Sequence, residues 1–136
     1  MAEHNLLHNG EFAREFVAYR HDESKRVPTG WAPWWVDGHA TGSNGPTWQN
    51  NVPTFDSHLL NDQPLVRLSS PFATHTAGLF QQTPAVPGEK YELNVDGQAW
   101  SSEAEEWGVI RDASDVNLQI GLDPTGGTDA TSPIVV

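Results

Sequence analysis

Six tryptophans in a chain of 136 residues set the chemistry this sequence can do. An indole offers a flat apolar face on which the C–H face of a sugar ring stacks, while amides, carboxylates or a guanidinium beside it hydrogen-bond the ring hydroxyls. Trp34 and Trp35 lie in Trp31-Ala32-Pro33-Trp34-Trp35, where strand alternation puts Trp31, Pro33 and Trp35 on one face and Ala32 and Trp34 on the other. The adjacent pair is therefore split, and each member is a candidate sugar platform. Trp48 stands beside Gln49, Asn50 and Asn51, where apolar residues are scarce, and is a third. Trp100 follows an alternating stretch whose apolar set is Tyr91, Leu93, Val95, Gly97 and Ala99, so period 2 turns it to the opposite face with Asn94, Asp96 and Gln98. It is the fourth candidate. Trp107 follows the acidic run Ser102-Glu103-Ala104-Glu105-Glu106 and reads as an anchor for that loop.

Polar partners for such platforms are Gln81, Asn117 and Gln119, all on polar positions of strand-like segments, and Arg67. Arg67 is the only Lys or Arg between Asp37 and Glu89, and its fork suits a bidentate hydrogen bond to ring hydroxyls or to a uronate carboxylate, with a salt bridge as the alternative. Nucleophilic and metal chemistry is poorly provided for. The absence of cysteine excludes disulfides, thiolate metal sites and a thiol nucleophile. The carboxylates Asp37, Asp56 and Asp62 and the bases His39 and His58 fall in a long polar region with no spacing that joins them, and no hydrolase, zincin, phosphate-loop or dinucleotide fingerprint is present. A non-catalytic role is the expectation. Only His4 and His8 have ligand-like spacing, and that spacing needs a helix where the pattern reads as strand. Without thiols, a metal would be an oxygen-ligated one such as calcium; Asp123 and Asp129, which bracket Gly126-Gly127, offer such a cluster, the alternative being a turn with aspartate caps.

The charge balance narrows the partners. Eighteen acidic against seven basic side chains give a formal charge of −11, which repels phosphate backbones and anionic lipid heads. Neither nucleic acid nor membrane is expected as a partner. No run approaches the length and apolarity of a membrane span, and the first residues show no basic stretch leading into an apolar one.

The elements that must position these residues read as strands. Alternation is clearest in Val116 to Leu122 and in Lys90 to Asp96, which Ala99 extends. Shorter candidates are Asn5 to Leu7, Phe12 to Phe16, Gly30 to Val36, Thr47 to Asn50, Leu65 to Ser69, Gly78 to Gln82 and Trp107 to Arg111. Gly and Pro supply 22 residues, concentrated in turn signals such as Val27-Pro28-Thr29-Gly30, Gly42-Ser43-Asn44-Gly45-Pro46 and Val86-Pro87-Gly88. No window forms an amphipathic helix with caps. The expectation is one all-β, antiparallel domain over residues 1–136, with Gly38 to Asp62 as a long polar loop rimming the binding site.

Four motifs in order narrow this further: Asn5-Leu6-Leu7-His8-Asn9-Gly10-Glu11-Phe12 leading to Val27-Pro28-Thr29-Gly30-Trp31; Gly78-Leu79-Phe80-Gln81-Gln82; Val86-Pro87-Gly88-Glu89-Lys90-Tyr91 with Ala99-Trp100-Ser101; and Ile120-Gly121-Leu122-Asp123-Pro124-Thr125-Gly126-Gly127-Thr128-Asp129. In this order the sequence resembles bacterial carbohydrate-binding modules of the galactose-binding-like jelly-roll fold. The resemblance implies an antiparallel two-sheet jelly-roll sandwich and a non-catalytic polysaccharide- or oligosaccharide-binding function. It also implies an extracellular or cell-surface location in the parent protein, Trp31 in the core, and a structural calcium held by Glu11 and nearby carbonyls. Two departures stand out: Ala13 and Arg14 follow Phe12 where the family carries an acid, and the chain ends at Ser132-Pro133-Ile134-Val135-Val136, short of the family's last strands. Such an end leaves a sheet edge open to strand addition by a second chain. A structural or assembly module of a surface layer or filament is therefore the alternative function.

Overall fold

The structure, a computed structural model, describes residues 5–13, 15–38, 48–99, 101 and 116–136. These divide into two units, Met1–Pro84 and Ala85–Val136. Every strand among the described residues belongs to the first: β1 (Phe16–Tyr19), β2 (Asp22–Pro28), β3 (Ala32–Trp35), β4 (Thr54–Leu60), β5 (Gln63–Ser69) and β6 (Ala77–Phe80). No helix occurs among the described residues, which are all-β with two open sheets, one of four strands in the order β1-β2-β4-β5 and one pairing β3 with β6.

Two hairpins build the larger sheet. β1 turns into β2 through Arg20 and His21, and β4 into β5 through Asn61 and Asp62, all four at positive φ between 50° and 67°. Two-residue turns in this left-handed conformation match the right-handed twist of the flanking strands, and Asn and Asp adopt it readily. The β4–β5 ladder is unbroken from Thr54↔Ser69 to Leu60↔Gln63, whereas β1–β2 shifts register between Ala18 and Tyr19. The hairpins meet along β2 and β4, at Lys25↔Phe55, and here the pairing is parallel. This corrects the expectation of an antiparallel fold throughout. The cause is the crossover: after β2 the chain leaves for the second sheet as β3 and returns to run beside β2 in the same direction.

The core is small and sits where the sheets meet. Val27 and Phe55 are each 1% exposed, with Pro28 and Pro53 fully buried beside them. From β3, Trp35 lays its ring against Phe55, centroids 6.3 Å apart and tilted 58°. Lys25 is buried on β2 with its ammonium 5.0 Å over the Trp35 ring and 2.9 Å from both Asp22 Oδ2 and Ser24 Oγ. Its alkyl stem covers apolar surface while the charge is neutralised at the rim. Trp31 donates its Nε1–H to the Asn9 carbonyl at 3.1 Å and meets Phe12 edge-on at 5.4 Å, which ties the N-terminal segment to the start of β3.

Asp22 gathers the Ser24 hydroxyl, the Lys25 ammonium and the Ser24 N–H, and these donors pull its pKa from 3.8 to about 2. A carboxyl group more acidic in the folded state stabilises the fold fully above the unfolded value of 3.8, and that contribution fades as pH falls through 2. A carbon-detected NMR titration is expected to place the Asp22 midpoint near 2. Asp22→Asn should flatten the acid limb of stability between those two values.

Several expected strands are absent. Asn5 to Leu7 forms a turn in which the Leu7 N–H is captured by Asn5 Oδ1 at 3.0 Å, a side-chain bond that competes with a ladder. Phe12 sits at φ 53°, so β1 starts only at Phe16. Residues 48–50 are turn and bend, with Asn50 at φ 46°. Trp107 to Arg111 and the Gly42 to Pro46 turn lie outside the described residues.

The second unit departs most from expectation. Lys90 to Ala99 and Val116 to Leu122 are not ladder-bonded strands; alternation specifies which side chains share a face but supplies no register-matched neighbour. The two segments meet through a side chain instead, Leu118 lying so close to Gly97 that a Cβ there would stand 3.0 Å from its Cδ2. Leu118, Ile120 and Leu122 stay about half exposed. Leu122 and Val136 exchange both backbone hydrogen bonds, at 2.8 and 2.9 Å, so the chain's last residue pairs within the chain. Val86-Pro87-Gly88-Glu89 closes a turn, Glu89 N–H to Val86 O at 3.2 Å with Gly88 at φ 88°, as Pro-Gly predicts.

Candidate functional site

The polar region that the sequence gives to a loop is partly built. Thr54 to Leu60 is strand β4, and residues 48–51 form a strap bonded on both sides. On one side Gly38 N–H donates to the Asn50 carbonyl at 3.0 Å. On the other, Thr74 N–H donates to the Trp48 carbonyl at 2.7 Å and Asn51 N–H to the Thr74 carbonyl at 2.9 Å. Thr76 Oγ1 donates to Asn50 Oδ1 at 3.3 Å, and its carbonyl receives the Val36 N–H at 2.8 Å. Trp48 is thus anchored through its backbone while its side chain leaves the residue 51% exposed.

Alongside this strap runs an open groove of about 410 Å³ lined by Asp37, Asn51, Val52, Thr54, Ser69, Ser70, Pro71 and Ala73. Its hydroxyls are braced. Thr54 Oγ1 is 2.9 Å from Ser69 Oγ across the β4–β5 ladder, and Ser70 Oγ is 2.9 Å from His75 Nδ1. Burial pushes the His75 pKa below the ordinary histidine value, so at neutral pH its ring is uncharged and the Ser70 contact joins two neutral groups. One carboxylate, several hydroxyls, an amide and short apolar patches suit a ligand rich in hydroxyl groups. Among the described residues, no Lys or Arg lines the groove.

The remaining expected site residues are distributed differently. Trp35 faces Phe55 and Lys25 in the inter-sheet contact. Trp34, on the opposite face of β3, lies over Gly78 of the neighbouring strand, where a Cβ would come within 2.7 Å of its Nε1. Arg67 NH2 donates to Asp56 Oδ2 at 2.7 Å, the residue directly across the β4–β5 ladder. Gln81 acts as a clamp: Oε1 receives the His8 N–H at 2.6 Å, and Nε2 donates to the His8 and Gly30 carbonyls, each at 2.9 Å. Asn117 and Gln119 are exposed in the second unit. Trp100 lies outside the described residues, as does His39.

The carboxylates proposed for calcium are engaged by their own turns. Asp123 Oδ1 accepts from Thr125 Oγ1 at 2.6 Å and Thr125 N at 2.8 Å, while Oδ2 accepts from Gly127 N at 3.0 Å. Asp129 Oδ1 accepts from Thr131 Oγ1 at 2.7 Å and Thr131 N at 2.9 Å. These bonds, the threonine hydroxyls foremost, lower both pKa values. Such donors satisfy the lone pairs a cation would use, so the arrangement fits turn capping. Glu11 is exposed, and no cluster of three or more His, Cys, Asp or Glu side chains suited to a metal occurs among the described residues.

Phe72 is the aromatic residue that sequence reasoning missed. It is 83% exposed between the groove residues Pro71 and Ala73, at φ 55°. The composition Ser69-Ser70-Pro71 announces a turn there, but a turn's composition does not say that an aromatic will be held outward on it. No family model, curated protein or solved structure matches the chain.

Proposed function

We propose that the chain is a non-catalytic carbohydrate-binding module, a jelly-roll sandwich of the galactose-binding-like type, serving a cell-surface or extracellular parent protein. The observation that carries this reading is Trp48: half exposed, yet with its carbonyl held by the Thr74 N–H, on a strap whose Asn51 lines a groove of hydroxyls, an amide and a carboxylate. Stacking needs such a pre-positioned aromatic, because an indole that must first be ordered loses affinity to conformational entropy. Affinity then comes mainly from apolar contact and neutral hydrogen bonds, and varies little with salt. Trp34, half-buried over Gly78, is a second flat surface of the same unit.

The experiment is affinity electrophoresis of the native chain through gels containing cellulose derivatives, xylan, mannan, glucan or pectin, with and without chelator. One neutral polymer is expected to retard it, and Trp48→Ala should weaken that retardation about tenfold or more with an unchanged melting temperature. Retardation by none of them, or a Trp48→Ala variant that binds normally, would refute the reading. Loss of binding with chelator would place an oxygen-ligated ion such as calcium in support of the site.

One observation favours a second reading, a structural or assembly module. Leu118, Ile120 and Leu122 alternate along an extended segment and remain about half exposed, the pattern of a strand able to add to another chain. Sedimentation at increasing concentration separates the readings, since the assembly module would form oligomers indifferent to glycans.

A further inference from the structure

We infer that Phe72, whose neighbours Pro71 and Ala73 line the groove, and Trp48 on the strap flank the ligand there with their rings, and that the ligand is an uncharged oligosaccharide long enough to lie against both. This rests on the glycan-binding reading and adds to it a residue, a minimum ligand length and a charge class.

Three features of Phe72 converge. It is 83% exposed, so its ring contributes little to any core. Its backbone, at φ 55°, occupies a conformation that Gly or Asn adopts far more readily than a bulky L residue. A position that local physics would fill with glycine instead carries a large apolar ring in water, and strain of this kind gathers at ligand-contacting sites. The turn is also braced on either side: Ser70 Oγ sits 2.9 Å from His75 Nδ1, and Thr74 N–H is bonded to the Trp48 carbonyl at 2.7 Å. The ring is therefore presented from an anchored turn.

The same bond sets the reach of the ligand. Phe72 lies two residues from Thr74, a chain length of about 7 Å, so the backbones of the two aromatics are within one or two sugar rings of each other. Pro71 and Ala73, its neighbours in sequence, both line the groove. Among the described residues the lining supplies Asp37 and no Lys or Arg, and a carboxylate accepts hydrogen bonds from sugar hydroxyls while repelling uronates. The charge class follows from that asymmetry.

The test is fluorescence or calorimetric titration of the native chain with neutral gluco-, xylo- and manno-oligosaccharides from one to six units, and with oligogalacturonate. Affinity for one neutral series should rise about tenfold or more from the monosaccharide to the trimer, and oligogalacturonate should bind far more weakly. Phe72→Gly, which accepts the left-handed backbone, should lose most of that rise while its melting temperature holds or increases. If Phe72→Gly keeps the full length dependence while Trp48→Ala loses binding, the groove stands and the role of Phe72 is overturned. If oligogalacturonate binds as well as the neutral series, the charge class is overturned. If the native chain binds none of the sugars, the glycan-binding reading fails and takes this inference with it.

Discussion

Replacing Phe55 by alanine is expected to lower the free energy of unfolding by about 3–5 kcal/mol, the usual cost of emptying a buried aromatic site. This is a large share of what holds a small domain together. Phe55 is 1% exposed and is the point where three strands meet: it sits on β4, is the partner of Lys25 on β2, and carries the Trp35 ring from β3. Besides Phe55, the buried apolar core among the described residues is Val27 and a few prolines, whose rings are fixed to the backbone, so little can collapse into the space. Urea denaturation followed by tryptophan fluorescence would measure the loss. A change below about 1 kcal/mol would mean that the sheets do not meet through this residue. Phe55→Leu, which keeps most of the apolar volume, should recover more than half of the stability.

Gln81→Leu should cost about 2–3 kcal/mol in the same assay, since three hydrogen bonds to main chain vanish and the His8 and Gly30 groups lose their partner. The substitution removes the terminal amide and leaves an apolar side chain with no group to replace those bonds. A ligand-reading glutamine would behave in the opposite way, with weakened sugar binding and unchanged stability. The two assays on this variant therefore distinguish a clamp from a contact residue.

Parts of this arrangement were legible in the sequence. Strand β3 falls inside a segment marked by its pattern, β5 and β6 overlap theirs but begin one or two residues earlier, and Pro-Gly placed the turn at Val86 to Glu89. β2 was hidden because its inward positions are Lys25 and Val27, and Lys25 enters the interior only with Asp22, Ser24 and Trp35 around its ammonium. β4 was hidden because neither of its faces is uniformly apolar: Phe55 is buried while Leu59 on the same parity is exposed. Alternation misled in the second unit, where side chains are sorted by face but no strand forms among the described residues. For the candidate site, the composition around Trp48 marked the segment that the structure builds into a strap, whereas the partners of Arg67 and Gln81 are long-range contacts that no local pattern encodes.

The parallel contact of β2 with β4 also has a kinetic meaning. Each hairpin closes over a two-residue turn, an event of about 1–10 μs, but Lys25 and Phe55 are thirty residues apart and meet only after the chain has passed through β3. The entropy of closing that excursion is lost before the contact returns anything. The slow step of folding is therefore expected to be the docking of the two hairpins, and until it occurs each would present an unpaired edge, β2 on one and β4 on the other, to any neighbouring chain.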